Sequence, residues 1–176
     1  NMEWKKVKLG EVCEILDKRR IPLSSMERES RRGKFPYYGA QGIIDYIDDY
    51  IFDEELLLVA EDGANLETRN EDIAIIASGK YWVNNHAHVL KDNGKLHLRL
   101  LHYLLNHMDI TPYITGSAQP KLNQANLAKI ELSIPDIETQ HRIAAILSSL
   151  DDKIENNNRI NRNLEYAISR SINNRI

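Results

Sequence analysis

The chain has 176 residues, of which 42% are hydrophobic and 28% charged. That suffices for one globular domain with its own core and one further element, but not for two full domains. Its net charge of -3, from 23 basic and 26 acidic residues, argues by itself against a strongly polyanion-seeking protein.

The longest apolar run, Leu56 to Ala60, falls far short of the roughly 20 residues of a membrane span. No apolar stretch follows Lys5-Lys6, so the start does not read as a secretory signal. The single cysteine, Cys13, excludes an internal disulfide framework and a cysteine-rich zinc site, which makes a reducing cytoplasm the default. The charge is unevenly spread. Residues 1–44 hold 10 Lys/Arg and 6 Asp/Glu, residues 45–73 hold 1 and 11, and residues 74–176 hold 12 and 9. An acidic segment thus masks two mildly basic ones, and the chain is expected to turn a basic face to a polyanion and its acidic face elsewhere.

In chain order, Leu9-Gly10-Glu11-Val12 reads as a short helical turn followed by a strand. Lys18 to Lys34 is polar, with few apolar residues, and reads as a loop or a frayed helix. Pro36 to Gly42 reads as a turn with two aromatics. Ile43–Ile47 and Tyr50–Phe52 read as strands around Asp48-Asp49. Leu56–Ala60 and Ile73–Ala77 are continuous apolar runs whose length favours buried strands. Trp82-Val83 and Ala87–Leu90 are further strands. Leu96 to Met108 is a helix ended by Pro112. Ile130, Leu132 and Ile134 alternate as one last strand.

From Ile137 to the end there is neither Pro nor Gly. Asp136 is well placed as the helix N-cap. One heptad row is Ile143, Leu150, Asn157, Leu164, Ser171; the other is Leu147, Ile154, Asn161, Ile168, Arg175. Forty residues make a rod of roughly 60 Å, too long to bury its stripe against one small domain. It calls for another helix, with Asn157 and Asn161 fixing register at some expense of stability. The fold class is therefore a mixed α/β domain over residues 1–136, followed by a long helix over 137–176.

The sequence has no Gly-rich phosphate loop and no nucleophile elbow. His86 and His88 would share a face if both lay on a strand, a spacing that could hold a metal. The plainer alternative is one packed and one hydrogen-bonded histidine. Lys18-Arg19-Arg20 and Arg31-Arg32-Gly33-Lys34 are either solvated loop charges or phosphate contacts. Tyr37, Tyr38, Gly39 and Gln41 follow directly, a mix suited to base edges and close backbone approach. Gly116 to Asn123 is either a connection with an N-cap at Asn123 or a second DNA-facing loop. Asp53-Glu54-Glu55, Glu61-Asp62 and Glu67 are either a solvated face or carboxylates of a divalent-metal nuclease.

Several stretches resemble the specificity (S) subunit of type I restriction–modification systems. They are Trp4 to Val12, Pro36 to Tyr46, Val59 to Asn65, Gly79 to Val89, Gly116 to Asn123, Ile134-Pro135, Glu138 to Ala144 and Leu150 to Ile154. Their order and spacing cover nearly the whole chain. The resemblance implies a non-catalytic DNA reader without cofactors of its own. Two recognition domains would be held apart by an antiparallel helix pair that docks methylation subunits. Those subunits carry S-adenosylmethionine, and restriction subunits using ATP join the complex.

Relative to that pattern the chain holds one recognition domain and one helix. A second copy is then the expected helix partner, through an isologous interface of Leu147, Leu150, Ile154, Asn157, Asn161, Leu164 and Ile168. Such a homodimer would read double-stranded DNA at an interrupted palindrome. Arg19, Arg20, Arg31, Arg32 and Lys34 are the expected phosphate or groove contacts. Tyr38, Gly39 and Gln41, then Lys80, Asn84 and Gln119, are expected near bases. The competing expectations are a metal-dependent nuclease and an oligomerisation module without DNA.

Overall fold

The computed structural model describes residues 3–173, without the side chains of 167, 169 and 171–173. Of the heptad rows, the Ser171 side chain and all of Arg175 lie outside what is described.

The apolar run at Leu56 becomes the centre of the fold. Strand β1 (Lys5–Lys8) leads into a one-turn helix, α1 (Leu9–Val12), and strand β2 (Cys13–Ile15). A 3-10 turn (Asp17–Arg19) and helix α2 (Ser25–Ser30) precede β3 (Arg32–Gly39) and β4 (Gly42–Ile47). Next come β5 (Phe52–Asp53), β6 (Leu56–Ala60), helix α3 (Asn65–Thr68), β7 (Ala74–Ala77), β8 (Lys80–Val83) and β9 (Ala87–Asp92). The chain finishes with α4 (Leu98–His107), α5 (Gln124–Lys129), β10 (Glu131–Ile134) and the long α6 (Ile137–Asn173).

Strands β2, β9, β6 and β7 form an antiparallel sheet in that order, with β6 central and all five of its residues buried. Its side chains alternate between two cores. Leu57 and Val59 join α1, α4, α5 and β10, packing with Leu9, Leu101, Leu105, Leu127 and Leu132. Leu56 and Leu58 face Phe52, Tyr81, Val83 and Val89. A strand buried on both faces must be apolar throughout, which is why this run shows no alternation. A second sheet runs β4-β3-β8-β5, with β3 parallel to β8, and a two-stranded ribbon joins β1 to β10.

Two readings of the sequence need correction here. Pro36 to Gly39 is strand, not turn: Pro36 pairs with Tyr46 on β4, while pairing with β8 begins only at Tyr37. The missing proline N–H therefore falls where β3 has no β8 partner. The polar Lys18–Lys34 stretch holds the 3-10 turn, α2 and the start of β3 rather than one loop or frayed helix. Ser24 and Glu27 cap α2 reciprocally, a Ser-x-x-Glu signature that fixes a helix start even without an apolar face.

The long helix starts where Asp136 caps it. The Thr139 N–H donates to Asp136 Oδ1 at 2.8 Å, and this bond holds the Asp136 carboxyl below the usual range. Ala144 is buried, and Ile143 and Leu147 are half-buried near α4. From Ser149 to Tyr166 every residue is exposed. At about 1.5 Å per residue, the 37 residues of α6 span roughly 55 Å.

Candidate nucleic-acid interface

The expected contact residues fall into three places. The first is the tip of the β3–β4 hairpin. Gly39 and Gly42 face each other across a two-residue loop that leaves Gln41 exposed. Gly42 takes φ +110°, which favours glycine. A Cβ on Gly39 would sit 3.2 Å from the Ile44 side chain and 3.5 Å from Asn84 Nδ2. Gly39 thus lets the hairpin close on Asn84. Asn84 is buried; its N–H donates to the Tyr38 carbonyl at 3.0 Å, and its Oδ1 accepts the His86 N–H at 2.8 Å. The Tyr38 ring lies edge-on to Tyr81, and burial pushes its hydroxyl pKa up. Gln119 is exposed on the separate Thr115–Lys121 loop.

The second place is the opposite end of β3, seven residue steps or about 23 Å away. Here the cations lie on aromatic rings. Arg31 lies 5.0 Å from the Trp82 ring, Lys34 5.3 Å from Phe35 and Lys80 4.6 Å from Tyr50, and the Phe35 and Tyr50 rings pack 5.2 Å apart. Such contacts hold charged heads in place while leaving them wet. Arg31 also pairs with Asp48 at 3.0 Å, and Lys80 reaches Asp53 at 4.0 Å. Arg32 is exposed.

The third place is the 3-10 turn. Arg19 is half-exposed over Phe52 and pairs with Glu54 at 3.3 Å. Arg20 is turned inward. Its guanidinium meets Glu61 at 2.7 Å, the Ala87 carbonyl at 2.8 Å and Asp17 at 3.5 Å.

The two histidines do not share a strand face. His86 precedes β9 and is exposed, 2.7 Å from Asp62. His88 is fully buried on β9, 2.6 Å from Asp17. Nor does the acidic segment form a bare acidic face. Glu54 pairs with Lys91, Glu55 with Arg99, and Glu61 with Arg20 and Lys121. The Lys91 and Arg19 contacts hold the Glu54 carboxyl below its usual range. Among the described residues, one trio has metal-ligating geometry: Asp17, Glu61 and His88. Arg20 and Lys121 already supply positive charge there.

On α6 the apolar seam faces solvent. Leu150, Ile154, Leu164 and Ile168 are 49%, 58%, 56% and 59% exposed, with Asn157 and Asn161 exposed between them. Fully burying each such aliphatic side chain is worth roughly 1.5–3 kcal/mol. Among the described residues, no helix is long and apolar enough to cross a membrane.

The profile of the type I restriction modification DNA specificity domain matches residues 1–166. The chain belongs to this family. A putative type I restriction enzyme specificity subunit of Haemophilus influenzae is 40% identical over 150 residues, covering 85% of this chain and 37% of the relative. The EcoprrI specificity subunit of Escherichia coli is 29% identical over 154 residues, covering 85% and 36%. The S subunit of a type I restriction–modification system from M. genitalium shares the fold, with a TM-score of 0.69 at 16% identity, over 89% of this chain and 41% of that one. The chain thus spans well under half the length of these relatives.

Several residues that shape this specificity domain carry no signal in sequence spacing. Phe35 and Tyr50 seat the cations, and Asp17 anchors the inner network. Gln140 ties the start of α6 to the domain through Oε1, which accepts the His97 N–H at 2.9 Å, and Nε2, which donates to the Pro135 carbonyl at 2.9 Å.

Proposed function

We propose that residues 1–136 read one half of a split double-stranded DNA target and that residues 137–176 pair with the helix of a second copy. The observation that carries this reading is the specificity-domain match over residues 1–166. The geometry supports it at both ends of β3. Arg31, Arg32 and Lys34 offer phosphate contacts beside the aromatic platform; Lys80, expected near bases, sits with them on Tyr50 and is reassigned to phosphate, and Arg19 adds one from the 3-10 turn. Gln41 on the hairpin tip and Gln119 on its loop can reach base edges, and Tyr38, Gly39 and Asn84 shape the tip from behind. The 23 Å between the two ends of β3 is less than one turn of DNA, about 34 Å. Arg20 serves this surface from beneath, through its internal ion pairs.

The helix pairing is antiparallel. Leu147, Leu150, Ile154, Leu164 and Ile168 then bury against their mates, and Asn157 and Asn161 face polar partners near the two-fold. A two-fold dimer presents two identical readers, so its target is an interrupted palindrome. The paired helices scaffold methylation subunits, and restriction subunits join through the complex. S-adenosylmethionine and ATP belong to those subunits, the chain itself performs no catalytic step, and the assembly works in the cytoplasm.

The test is selection from a random duplex library by the complex purified with its methylation subunit, with sedimentation equilibrium on the chain alone. Enrichment of an interrupted palindrome and a dimeric chain are expected. A monomeric chain and an unenriched library would overturn the reading.

A further inference from the structure

Beneath the loop that carries Gln119 lies a buried charged cluster, met at its rim by half-exposed Lys121. His88 has an acceptor on each side of its ring: Nδ1 lies 2.6 Å from Asp17 Oδ2, and Nε2 lies 2.6 Å from the Leu122 carbonyl oxygen. A carbonyl oxygen only accepts, so Nε2 carries a proton. Asp17 Oδ1 accepts the Val89 N–H at 2.9 Å, and the Arg20 guanidinium stands 3.5 Å from Oδ2. His88 thus ties the 3-10 turn to the chain at Leu122.

Charged groups surround the ring. Asp17 and Arg20 approach from the 3-10 turn, Glu61 from the end of β6 at 3.8 Å, and Lys121 from the rim, 3.3 Å from Glu61. Arg20 inside and Lys121 at the rim face the two carboxylates Asp17 and Glu61, and such pairing is the condition under which a buried ionic cluster is tolerated. The same cluster gathers three loops. Leu122 N–H donates to the Glu61 carbonyl, Gly63 N–H to the Pro120 carbonyl and Glu61 N–H to the His86 carbonyl. Thr115 and Lys121 bond each other reciprocally, closing the loop on itself.

We propose that His88 is a positioning residue: bridging Asp17 and the Leu122 carbonyl from inside, it holds the Thr115–Leu122 loop, and with it Gln119, in its DNA-facing orientation. This role rests on the DNA reading given above. The two acceptors lie on opposite sides of the ring, so a glutamine amide reaches only one of them.

The first test is nitrogen-15 NMR of the full chain with labelled histidine, at neutral pH. A slowly exchanging His88 Nε2–H is expected, held on the Leu122 carbonyl; its absence or rapid exchange with solvent would overturn the proposal. The wild-type spectrum decides this even if substitution disrupts folding. The second test is His88→Gln, with amide hydrogen exchange. Exchange at Gly63, Lys121 and Leu122 is expected to rise by about tenfold or more while β3 and β8 amides keep their rates. Unchanged loop exchange would overturn the positioning role.

In the complex with the methylation subunit, H88Q is expected to lower the ratio of specific to non-specific DNA affinity by about tenfold with non-specific affinity unchanged. An equal fall in both affinities would contradict positioning. A wild-type complex without any sequence preference would overturn the DNA reading and the positioning of Gln119 built on it, while the ring spectrum and loop exchange would still decide whether His88 ties the loop.

Discussion

The Tyr103 hydroxyl on α4 donates to a carboxylate oxygen of Asp151 on α6. Among the described residues, this is the last side-chain hydrogen bond between the domain and the long helix before α6 runs free into solvent. Beside it Trp4, Leu104, Met108, Leu147 and Ile154 line an open apolar groove. The direction of α6 relative to the domain is set at this junction. Burial and the Asp151 carboxylate push the Tyr103 phenol above its usual range, so it remains a donor at neutral pH. Tyr103→Phe should cost about 0.5–1.5 kcal/mol in urea unfolding. A double-mutant cycle with Asp151→Ala should return coupling of similar size, and purely additive losses would show that the bond contributes nothing.

Gln140 should matter more. It is buried, and its amide serves the His97 N–H and the Pro135 and Lys95 carbonyls. Gln140→Ala leaves buried groups unpaired at about 1–3 kcal/mol each. Urea denaturation should rank it well below Tyr103→Phe in stability; an equal or smaller loss would contradict the junction described here.

The arginines should separate by role. Arg20→Ala strands Glu61 and Asp17 inside, and breaking such a buried pair costs about 3–5 kcal/mol. Thermal melting should show that loss directly. Arg32→Ala and Lys34→Ala should leave melting unchanged, weaken DNA binding for all sequences alike and lower the salt slope by about one each. Loss of DNA binding by Arg20→Ala at full stability would reverse this assignment.

Acid should loosen the α4 region. Burial lowers the pKa of His97 and of His102, and His141, packed 4.6 Å from the His97 ring, lowers that of His97 further. His97 Nδ1 also accepts the Arg99 N–H, capping α4, which requires that nitrogen to be unprotonated. A histidine with a lowered folded pKa contributes stability that is present above its unfolded pKa, about 6.5, and is lost as pH falls through and below that value. Melting temperature should therefore drop between pH 7 and pH 5. His97→Asn, which keeps a capping side chain, should flatten the drop; an identical profile would assign it to other groups.

The central strands and the long helix were legible because their signals are local. Leu56–Ala60 is apolar throughout since β6 is buried on both faces, and Asp136 caps α6 with no Pro or Gly downstream. The course of β3 was hidden by Pro36, which local rules place in a turn; only the late start of β8 pairing makes room for it. For the candidate interface only the placing of side chains can be compared: Gln41 and Gln119 are exposed, Asn84 is buried, and nothing near Arg20 in sequence points to Glu61 and Ala87, more than forty residues away. Likewise His88 finds its carboxylate at Asp17, 71 positions earlier. Pairings set by tertiary contact leave no mark in spacing, so charged residues with inner partners and those facing solvent look alike in the sequence.

The most direct measurement is genome-wide mapping of modified adenines in cells expressing this chain with its methylation subunit. One interrupted palindrome is expected, modified symmetrically in both halves and lost when Leu150, Ile154 and Leu164 are replaced by Asp. An asymmetric bipartite site would contradict the two-fold pairing, and the absence of any sequence-specific modification by an assembled complex would contradict the reading as a whole.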